Sequence, residues 1–165
     1  MKRRLTKGTL LAAIALPALS GAAWAGGTDD FGCSNATLKG EYAFGVTAYT
    51  SMSVGEGIRV YDGNGHFTQR DYQGNDHAGP DFTPPGQETG TYRVNSDCTG
   101  SAWLNWNFPV QSGSPGFITV NFVISNGGRH VHEVVSQLTP PGSTTGPVPT
   151  QTSVDVWKVA SAQDD

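Results

Sequence analysis

The sequence predicts an all-β protein, an eight-stranded antiparallel up-and-down barrel of the calycin-like type, and three observations support this prediction. Segments of about seven to eleven residues alternate apolar and polar side chains, which is the period of a half-buried strand. Turn-forming Gly, Asn, Asp and Pro residues separate these segments. No segment after residue 25 has the periodicity of an amphipathic helix. A closed barrel leaves no exposed sheet edge, and a two-sheet sandwich is the alternative.

The first 25 residues precede the barrel and have the three parts of an export signal. Four Lys and Arg residues form the basic start, an apolar run follows at 10–19, and Ala23-Trp24-Ala25 is a small-x-small cleavage site. The apolar run is too short for a resident membrane helix, which takes about 20 residues. The sequence therefore predicts a signal peptide at 1–25, a single barrel domain at 26–165 and a secreted or periplasmic location.

The charge balance excludes several classes of partner. The predicted signal contains four of the ten Lys and Arg residues and none of the fourteen Asp and Glu residues, so the remaining chain has a net charge of −8. Nucleic acids and anionic membranes are bound by basic surfaces. We therefore expect no nucleic-acid partner and no membrane insertion. We also expect a monomer or homodimer.

Cys33 and Cys98 are the two cysteines of the chain. In an exported protein an even pair of cysteines predicts a disulfide. The bond would close a loop of about 65 residues and fix the start of the barrel domain to its middle. Two free thiols or a metal pair are the alternatives.

Eight segments have strand character, and the clearest pair is the hairpin Gly116–Leu138 around the turn Asn126-Gly127-Gly128. A second clear hairpin turn is Asp62-Gly63-Asn64-Gly65. Loops at 74–87 and 140–150 are rich in Gly and Pro and are expected at the mouth of the barrel. The other predicted strands are 38–48, 54–61, 66–73, 88–95, 101–108 and 153–159.

Certain turn and strand-start residues form a recognisable set: Cys33, Leu38-Lys39-Gly40-Glu41-Tyr42, Asp62-Gly63-Asn64-Gly65, Gly90-Thr91-Tyr92 and Asp97-Cys98-Thr99-Gly100. This set resembles a family of small secreted bacterial proteins, mostly uncharacterised. Gly40-x-Tyr42 also resembles the Gly-x-Trp opening of lipocalin-like barrels, and the whole plan is similar to the allene oxide cyclase type of barrel. The resemblance implies an eight-stranded calycin-like barrel with a small apolar ligand, and it carries no catalytic residue across.

Aromatic residues are abundant on the predicted strands, and aromatic walls with a few polar groups are typical of small-molecule sites. Filling of the core explains the same residues equally well. The candidate ligand-binding residues are Tyr42, Phe44, Phe67, Tyr92, Trp106 and Phe122.

Some carboxylates share a strand face with apolar residues: Glu56 with Ile58, Asp71 with Phe67, and Glu133 with its valine neighbours. A carboxylate inside an apolar barrel has to be paired, hydrogen-bonded or raised in pKa, and a raised pKa suits a general acid or base. The alternative is a wet position at the barrel rim. The catalytic candidates are Glu133, Glu56 and Asp71.

His130 and His132 point to the same side of their strand, an arrangement that can offer two imidazoles to one metal ion. A zinc or copper site needs a third ligand, for which His66 and His77 are the available histidines. Two surface histidines explain the pattern better. We therefore predict no metal and no cofactor, with His130 and His132 as the weak metal candidates.

These observations favour a secreted barrel that binds a small hydrophobic or amphipathic molecule in its interior. The alternatives are a cofactor-independent cyclase or isomerase of the allene oxide cyclase-like type, and a structural or partner-binding exported protein. No residue pattern names a substrate or a reaction.

Overall fold

The computed structural model describes residues 32–50, 53–73, 85–86, 88–106 and 115–159. The predicted signal peptide and most of the loop at 74–87 lie outside these ranges. No helix in the described ranges is long and apolar enough to cross a membrane. The strands are β1 Gly40–Ala48, β2 Ser53–Tyr61, β3 His66–Gln73, β4 Glu88–Val94, β5 Thr99–Trp106, β6 Gly116–Ser125, β7 His130–Thr139 and β8 Thr152–Lys158.

Each strand pairs antiparallel with the next one along the chain, and β8 pairs with β1 to close the barrel. The closing register places Phe44 opposite Val156 and Val46 opposite Val154. This confirms the predicted eight-stranded antiparallel up-and-down barrel, and the two-sheet sandwich is wrong. Closure pairs the strand edges that a sandwich would leave open.

The strand boundaries follow the sequence prediction to within two residues at most ends, because turn-forming residues fix them. In the turn between β2 and β3, the Asp62 carboxylate accepts hydrogen bonds from the backbone N–H groups of Asn64 (2.7 Å) and His66 (3.0 Å). Gly63 and Gly65 have φ of 82° and 108°, which favours glycine. In the turn between β6 and β7, Asn126, Gly127 and Gly128 all have positive φ, of 52°, 63° and 87°.

A β-bulge in the β6–β7 pair changes which side chains of β7 face inward. The register shifts between Thr119 and Val120, which pair with Gln137 and Val135. Ser136 is the additional residue, and its hydroxyl donates a hydrogen bond to the Thr119 carbonyl (3.0 Å). Such a bulge bends the strand. Val135 and Leu138 both line the interior as a result.

One end of the barrel, here called the closed end, is covered by the 3₁₀ helix Asn35–Leu38. The Tyr42 hydroxyl donates to the Gly128 carbonyl (2.5 Å), and the Tyr92 hydroxyl donates to the Asn35 carbonyl (2.9 Å). Leu38 is fully buried beneath this cover.

The predicted disulfide is present and lies at the closed end. Cys33 and Cys98 are bonded, with their Cα atoms 4.9 Å apart, and they are 65 positions apart in the sequence. The Cys33 N–H also donates to the Ser96 carbonyl (3.2 Å). The bond therefore ties the segment before the 3₁₀ helix to the turn between β4 and β5.

Large aromatic side chains fit inside this narrow barrel because glycines on neighbouring strands make room for them. A Cβ built on Gly90 would lie 2.1 Å from Cζ of Phe67, and one on Gly100 would lie 2.2 Å from Cζ of Phe122. Side chains cannot approach so closely. The buried apolar core comprises Leu38, Tyr42, Phe44, Tyr61, Phe67, Tyr92, Ala102, Leu104, Val120, Phe122, Ile124, Val131, Val135, Val154 and Val156.

Candidate functional site

A cavity of about 330 Å³ occupies the barrel between its middle and the end opposite the 3₁₀ cover, here called the open end. Val148, Pro149 and Thr150, from the loop between β7 and β8, contribute to its wall near the open end. This agrees with the expectation that the loop at 140–150 borders the mouth. The apolar wall includes Val46, Leu104, Ile118, Val120, Val135, Leu138 and Val154.

The deepest part of the cavity holds a buried polar cluster centred on Arg59 of β2. The Arg59 guanidinium donates to the Gln69 side-chain oxygen (Nε–Oε1 2.8 Å), to the Tyr61 hydroxyl (Nη1–Oη 2.8 Å) and to Glu133 (Nη1–Oε1 2.5 Å). Arg59, Gln69 and Glu133 are all less than 5% exposed. Buried charges of this kind are found where a partner of opposite charge and hydrogen bonds satisfy them.

Aromatic rings and a carboxylate hold Arg59 in its charged form. Burial opposes the charge, but Glu133 and Tyr61 outweigh this effect, so the pKa of Arg59 lies above its ordinary value. The Phe67 and Phe44 ring centroids lie 4.9 Å and 5.3 Å from the guanidinium carbon, within the range of cation–π attraction. Arg59 is therefore a fixed positive charge inside the barrel.

A second polar group consists of the carboxyl groups of Asp71 on β3 and Glu88 on β4. Glu88 is fully buried. Burial first, and the neighbouring Asp71 carboxylate second, raise the pKa of Glu88 from 4.5 to about 9. Burial also raises the pKa of Asp71. At neutral pH Glu88 therefore keeps a proton beside the Asp71 carboxyl group.

The deepest part of the cavity, here called the floor, is lined by Arg59, Gln69, Asp71 and Glu133 and has an excess of hydrogen-bond acceptors. The charges of Arg59 and Glu133 cancel, while the Asp71–Glu88 pair keeps one negative charge when it holds one proton. Oε2 of Glu133 is buried and has no hydrogen-bond partner among the described residues. Asp71 and Glu133 both border the cavity. A ligand group that donates hydrogen bonds would be satisfied there.

The predicted ligand-binding aromatics fall into three groups. Phe44 and Phe67 line the cavity. Tyr42, Tyr92 and Phe122 are buried in the core. The Tyr42 and Tyr92 rings pack edge-on against Tyr61, with centroid distances of 5.2 Å and 5.0 Å, and thus support the floor. The side chain of Trp106 lies outside the described part of the structure.

The carboxylates predicted as catalytic candidates do not share one environment. Asp71 and Glu133 face the interior, as the sequence suggested. The expectation that Glu56 faces inward with Ile58 and Val60 is wrong, because all three side chains are exposed. The opposite face of β2 enters the barrel and carries Gly57, Arg59 and Tyr61.

Sequence reasoning missed Arg59, Tyr61 and Glu88. A signal for Glu88 was available, since strand alternation puts it on the same face as Tyr92, which has the character of a core residue. The inward position of Arg59 could not be predicted from alternation, because the more apolar face of β2 is its outer face.

The two predicted weak metal candidates lie on the outer surface and are not among the residues that line the cavity. Nδ1 of His132 is 2.8 Å from Oδ1 of Asp155, and Nε2 of His130 is 3.5 Å from the same oxygen. Asp155 therefore lies beside both histidines as a third side chain of metal-ligating type. His66 lies beside Asp62 instead, with Nδ1 and Oδ2 3.5 Å apart, and His77 lies outside the described residues.

Fold and cavity together define a closed antiparallel barrel with an internal cavity of ligand size. Among solved structures, the chain is similar to EF1p2_mFAP2b in its structure bound to DFHBI. The TM-score is 0.57 at 8% sequence identity, over 74% of this chain and 94% of that one. At this identity the likeness concerns the fold alone. Searches with protein-family models and of curated proteins gave no match, so membership of a secreted bacterial family stays a prediction.

Proposed function

We propose that this protein binds a small amphipathic molecule inside the barrel, with the apolar part of the ligand against the wall and a hydrogen-bond donor at the floor. The observation that carries the proposal is a cavity of about 330 Å³ whose apolar wall ends at a buried polar cluster. Sites for small ligands commonly combine an apolar wall with a few fixed polar groups in this way.

The apolar wall supplies affinity. Burial of ligand surface contributes about 25 cal/mol per Å². Leu104, Ile118 and Val120 come from adjacent strands β5 and β6, and Val135 and Leu138 come from β7. These side chains are held by the paired strands, so little further ordering opposes binding.

The floor supplies selectivity for the head group. Oε2 of Glu133 needs a donor, and Asp71 adds a carboxyl group on the same cavity. Arg59 is already bonded to Glu133, Gln69 and Tyr61, which leaves it poorly placed to bind an anionic head. The proposed ligand therefore has a hydroxyl or ammonium head rather than a carboxylate.

A series of ligands with one chain and three heads tests this proposal. Decylamine, decan-1-ol and decanoate would be titrated into the exported protein by isothermal calorimetry, the alcohol below its solubility limit and the two charged compounds below their micelle concentrations. We expect decylamine and decan-1-ol to bind at least about tenfold more tightly than decanoate, a difference of about 1.4 kcal/mol. Equal affinities would contradict the selectivity of the floor. Failure of all three to bind would contradict the binding function.

A second function is favoured by the Asp71–Glu88 pair. A carboxyl pair that holds a proton at neutral pH can serve as a general acid or base, and Asp71 borders the cavity. Asp71 is a better candidate than Glu133, since Glu133 is engaged by Arg59. The reaction class would be a cofactor-independent proton transfer at carbon, as in an isomerase or cyclase.

Deuterium exchange tests the second function without knowledge of the substrate. In D₂O, 2-decanone would exchange its hydrogens next to the carbonyl faster with the protein than in buffer. The Asp71→Asn variant should lose this acceleration while it still binds decan-1-ol. Exchange at the buffer rate in the unaltered protein would contradict the enzymatic function and leave the binding function unaffected.

A further inference from the structure

Three side chains of metal-ligating type meet on the outer surface of the barrel, at the seam between β7 and β8. His130 and His132 are two positions apart on β7 and therefore point to the same side. The β7–β8 register pairs His132 with Asp155. Strand alternation and register thus bring two imidazoles and one carboxylate together.

The distances within this cluster suit one metal ion. The ligand atoms His130 Nε2, His132 Nδ1 and Asp155 Oδ1 all lie within 4.8 Å of one another. A tetrahedral zinc ion with bonds of about 2.0–2.2 Å holds its ligand atoms roughly 3.3–3.6 Å apart. Of the two observed separations from Asp155, 3.5 Å lies within this range and 2.8 Å lies below it. Small side-chain rotations would complete the geometry.

The imidazole of His130 is already oriented towards the cluster. Its ring stacks on the Trp157 ring, with centroids 5.2 Å apart and an interplanar angle of 14°. Its Nε2 atom is buried and has no hydrogen-bond partner among the described residues. A buried nitrogen without a hydrogen bond costs free energy. Coordination of a cation would satisfy it.

The positions around the cluster leave room for a cation and for a further ligand. On β1, Gly45 pairs with Asp155, and a Cβ built on Gly45 would meet no atom within 4 Å. On β6, Val123 pairs with His132 and Ser125 with His130. These flanking positions carry no cationic side chain. The space beside Gly45 gives water or an added ligand access to the fourth coordination position.

We propose that His130, His132 and Asp155 form a binding site for one divalent first-row transition metal ion, such as Zn²⁺, Ni²⁺ or Cu²⁺. Imidazole nitrogens favour these ions, whereas Mg²⁺ and Ca²⁺ favour sites built from oxygen ligands alone. The ion joins β7 to β8 on the outer face, independently of the cavity and its ligand.

Calorimetry on exported, untagged and metal-stripped protein tests the site, with Zn²⁺ as the titrant. We expect one Zn²⁺ per chain. The Asp155→Asn variant should bind at least about tenfold more weakly, and the His130→Ala/His132→Ala variant should lose the site. The matched control is His66→Ala, which removes a histidine that also lies 3.5 Å from an aspartate but has no second imidazole beside it in the part of the chain that the structure describes. His66→Ala should bind Zn²⁺ as the unaltered protein does.

Thermal unfolding gives a second readout that separates binding from folding. Zn²⁺ at about 100 times its Kd should raise the Tm of the unaltered protein and of His66→Ala by at least about 4 °C. Mg²⁺ should leave the Tm unchanged, and neither ion should shift the Tm of His130→Ala/His132→Ala. Stoichiometric Zn²⁺ binding by that double variant, or no Zn²⁺ binding by the unaltered protein at millimolar concentration, would overturn the proposal.

Discussion

Arg59 on β2 and Glu133 on β7 form an ion pair inside the barrel, with Nη1 and Oε1 2.5 Å apart and both side chains at most 5% exposed. The two residues are 74 positions apart in the sequence. The pair forms only when the barrel closes, because β2 and β7 are not neighbours in the sheet. The polar floor of the cavity therefore assembles only in the complete fold.

Removal of both members of this pair should cost less stability than the sum of the two single removals. Glu133→Ala leaves the Arg59 charge buried without its carboxylate, which costs about 3–5 kcal/mol of unfolding free energy. In Arg59→Met/Glu133→Leu no unpaired charge remains, so the loss should be smaller than the sum of the losses for Arg59→Met and Glu133→Leu. Urea unfolding of the unaltered protein, the Arg59→Met and Glu133→Leu variants and the double variant measures this. Additive losses would contradict the coupling.

The pH dependence of stability should report on Glu88. Its pKa is raised from 4.5 to about 9 on folding, so the folded protein binds more protons than the unfolded chain between these values. The contribution of Glu88 to the free energy of unfolding is then fully present below about pH 4.5. It falls as the pH rises towards 9, by up to about 1.4 kcal/mol per pH unit.

The Glu88→Gln variant should lose much of this slope, since an amide does not titrate. Its stability relative to the unaltered protein should therefore increase from pH 5 to pH 9, as measured by urea unfolding at several pH values. The raised pKa of Asp71 acts in the same direction and leaves a residual slope. Parallel stability profiles for the two proteins would show that Glu88 does not hold its proton in the fold.

Substitutions of two glycines should differ sharply in their effect on the free energy of unfolding, although both residues lie within strands. A Cβ at Gly90 would be 2.1 Å from Cζ of Phe67 and 2.5 Å from the Trp103 carbonyl oxygen, whereas one at Gly45 would meet nothing within 4 Å. Gly90→Ala should lower the free energy of unfolding by about 3 kcal/mol. Gly45→Ala should change it by no more than about 1 kcal/mol. Equal effects in urea unfolding would contradict the described packing of Phe67.

The disulfide should make a large contribution to stability. A bond that closes a loop of 65 residues contributes roughly 4 kcal/mol by restricting the unfolded chain. The Cys33→Ala/Cys98→Ala variant should therefore unfold at a clearly lower urea concentration. Reduction of the unaltered protein by dithiothreitol should reproduce this shift and leave the variant unchanged. A midpoint that reduction does not alter would contradict the role of the bond.

Strand positions were predictable from the sequence because each strand is short, alternating and bounded by turn residues. The turn at Asp62 is fixed locally by hydrogen bonds from Asn64 and His66. The order of strands was predictable because eight sequential antiparallel strands that close into an up-and-down barrel leave no exposed edge. The strand β2 was placed correctly, but its inward face was assigned wrongly.

The inner face of β2 was assigned wrongly because a narrow barrel fills its interior with a few large rings, for which glycines on neighbouring strands make room. Gly57 faces inward on β2 so that Phe44 can pack there, and a Cβ at Gly57 would lie 2.5 Å from Cζ of Phe44. Ile58 and Val60 then lie on the outer face, 42% and 44% exposed. Apolar character alone could not identify the inner face of this strand.

The candidate sites were harder to predict than the fold because they depend on contacts between distant strands. Asp71 and Glu133 were identified as interior carboxylates from strand alternation. Glu88 comes beside Asp71 through the pairing of β3 with β4, whereas Arg59 meets Glu133 only when the barrel is closed. In the same way, Asp155 joins His130 and His132 only through the register of β7 and β8.

Binding of decylamine to two tryptophan variants of one strand tests the central claim most directly. Ile118 lines the cavity, whereas Val123 on the same strand faces outward and is 52% exposed. Calorimetry should show that Ile118→Trp, which fills the cavity, weakens binding at least about tenfold, whereas Val123→Trp leaves it unchanged. Circular dichroism and Tm would verify that both variants remain folded. Undiminished binding by a folded Ile118→Trp variant would contradict the proposal that the ligand lies inside the barrel.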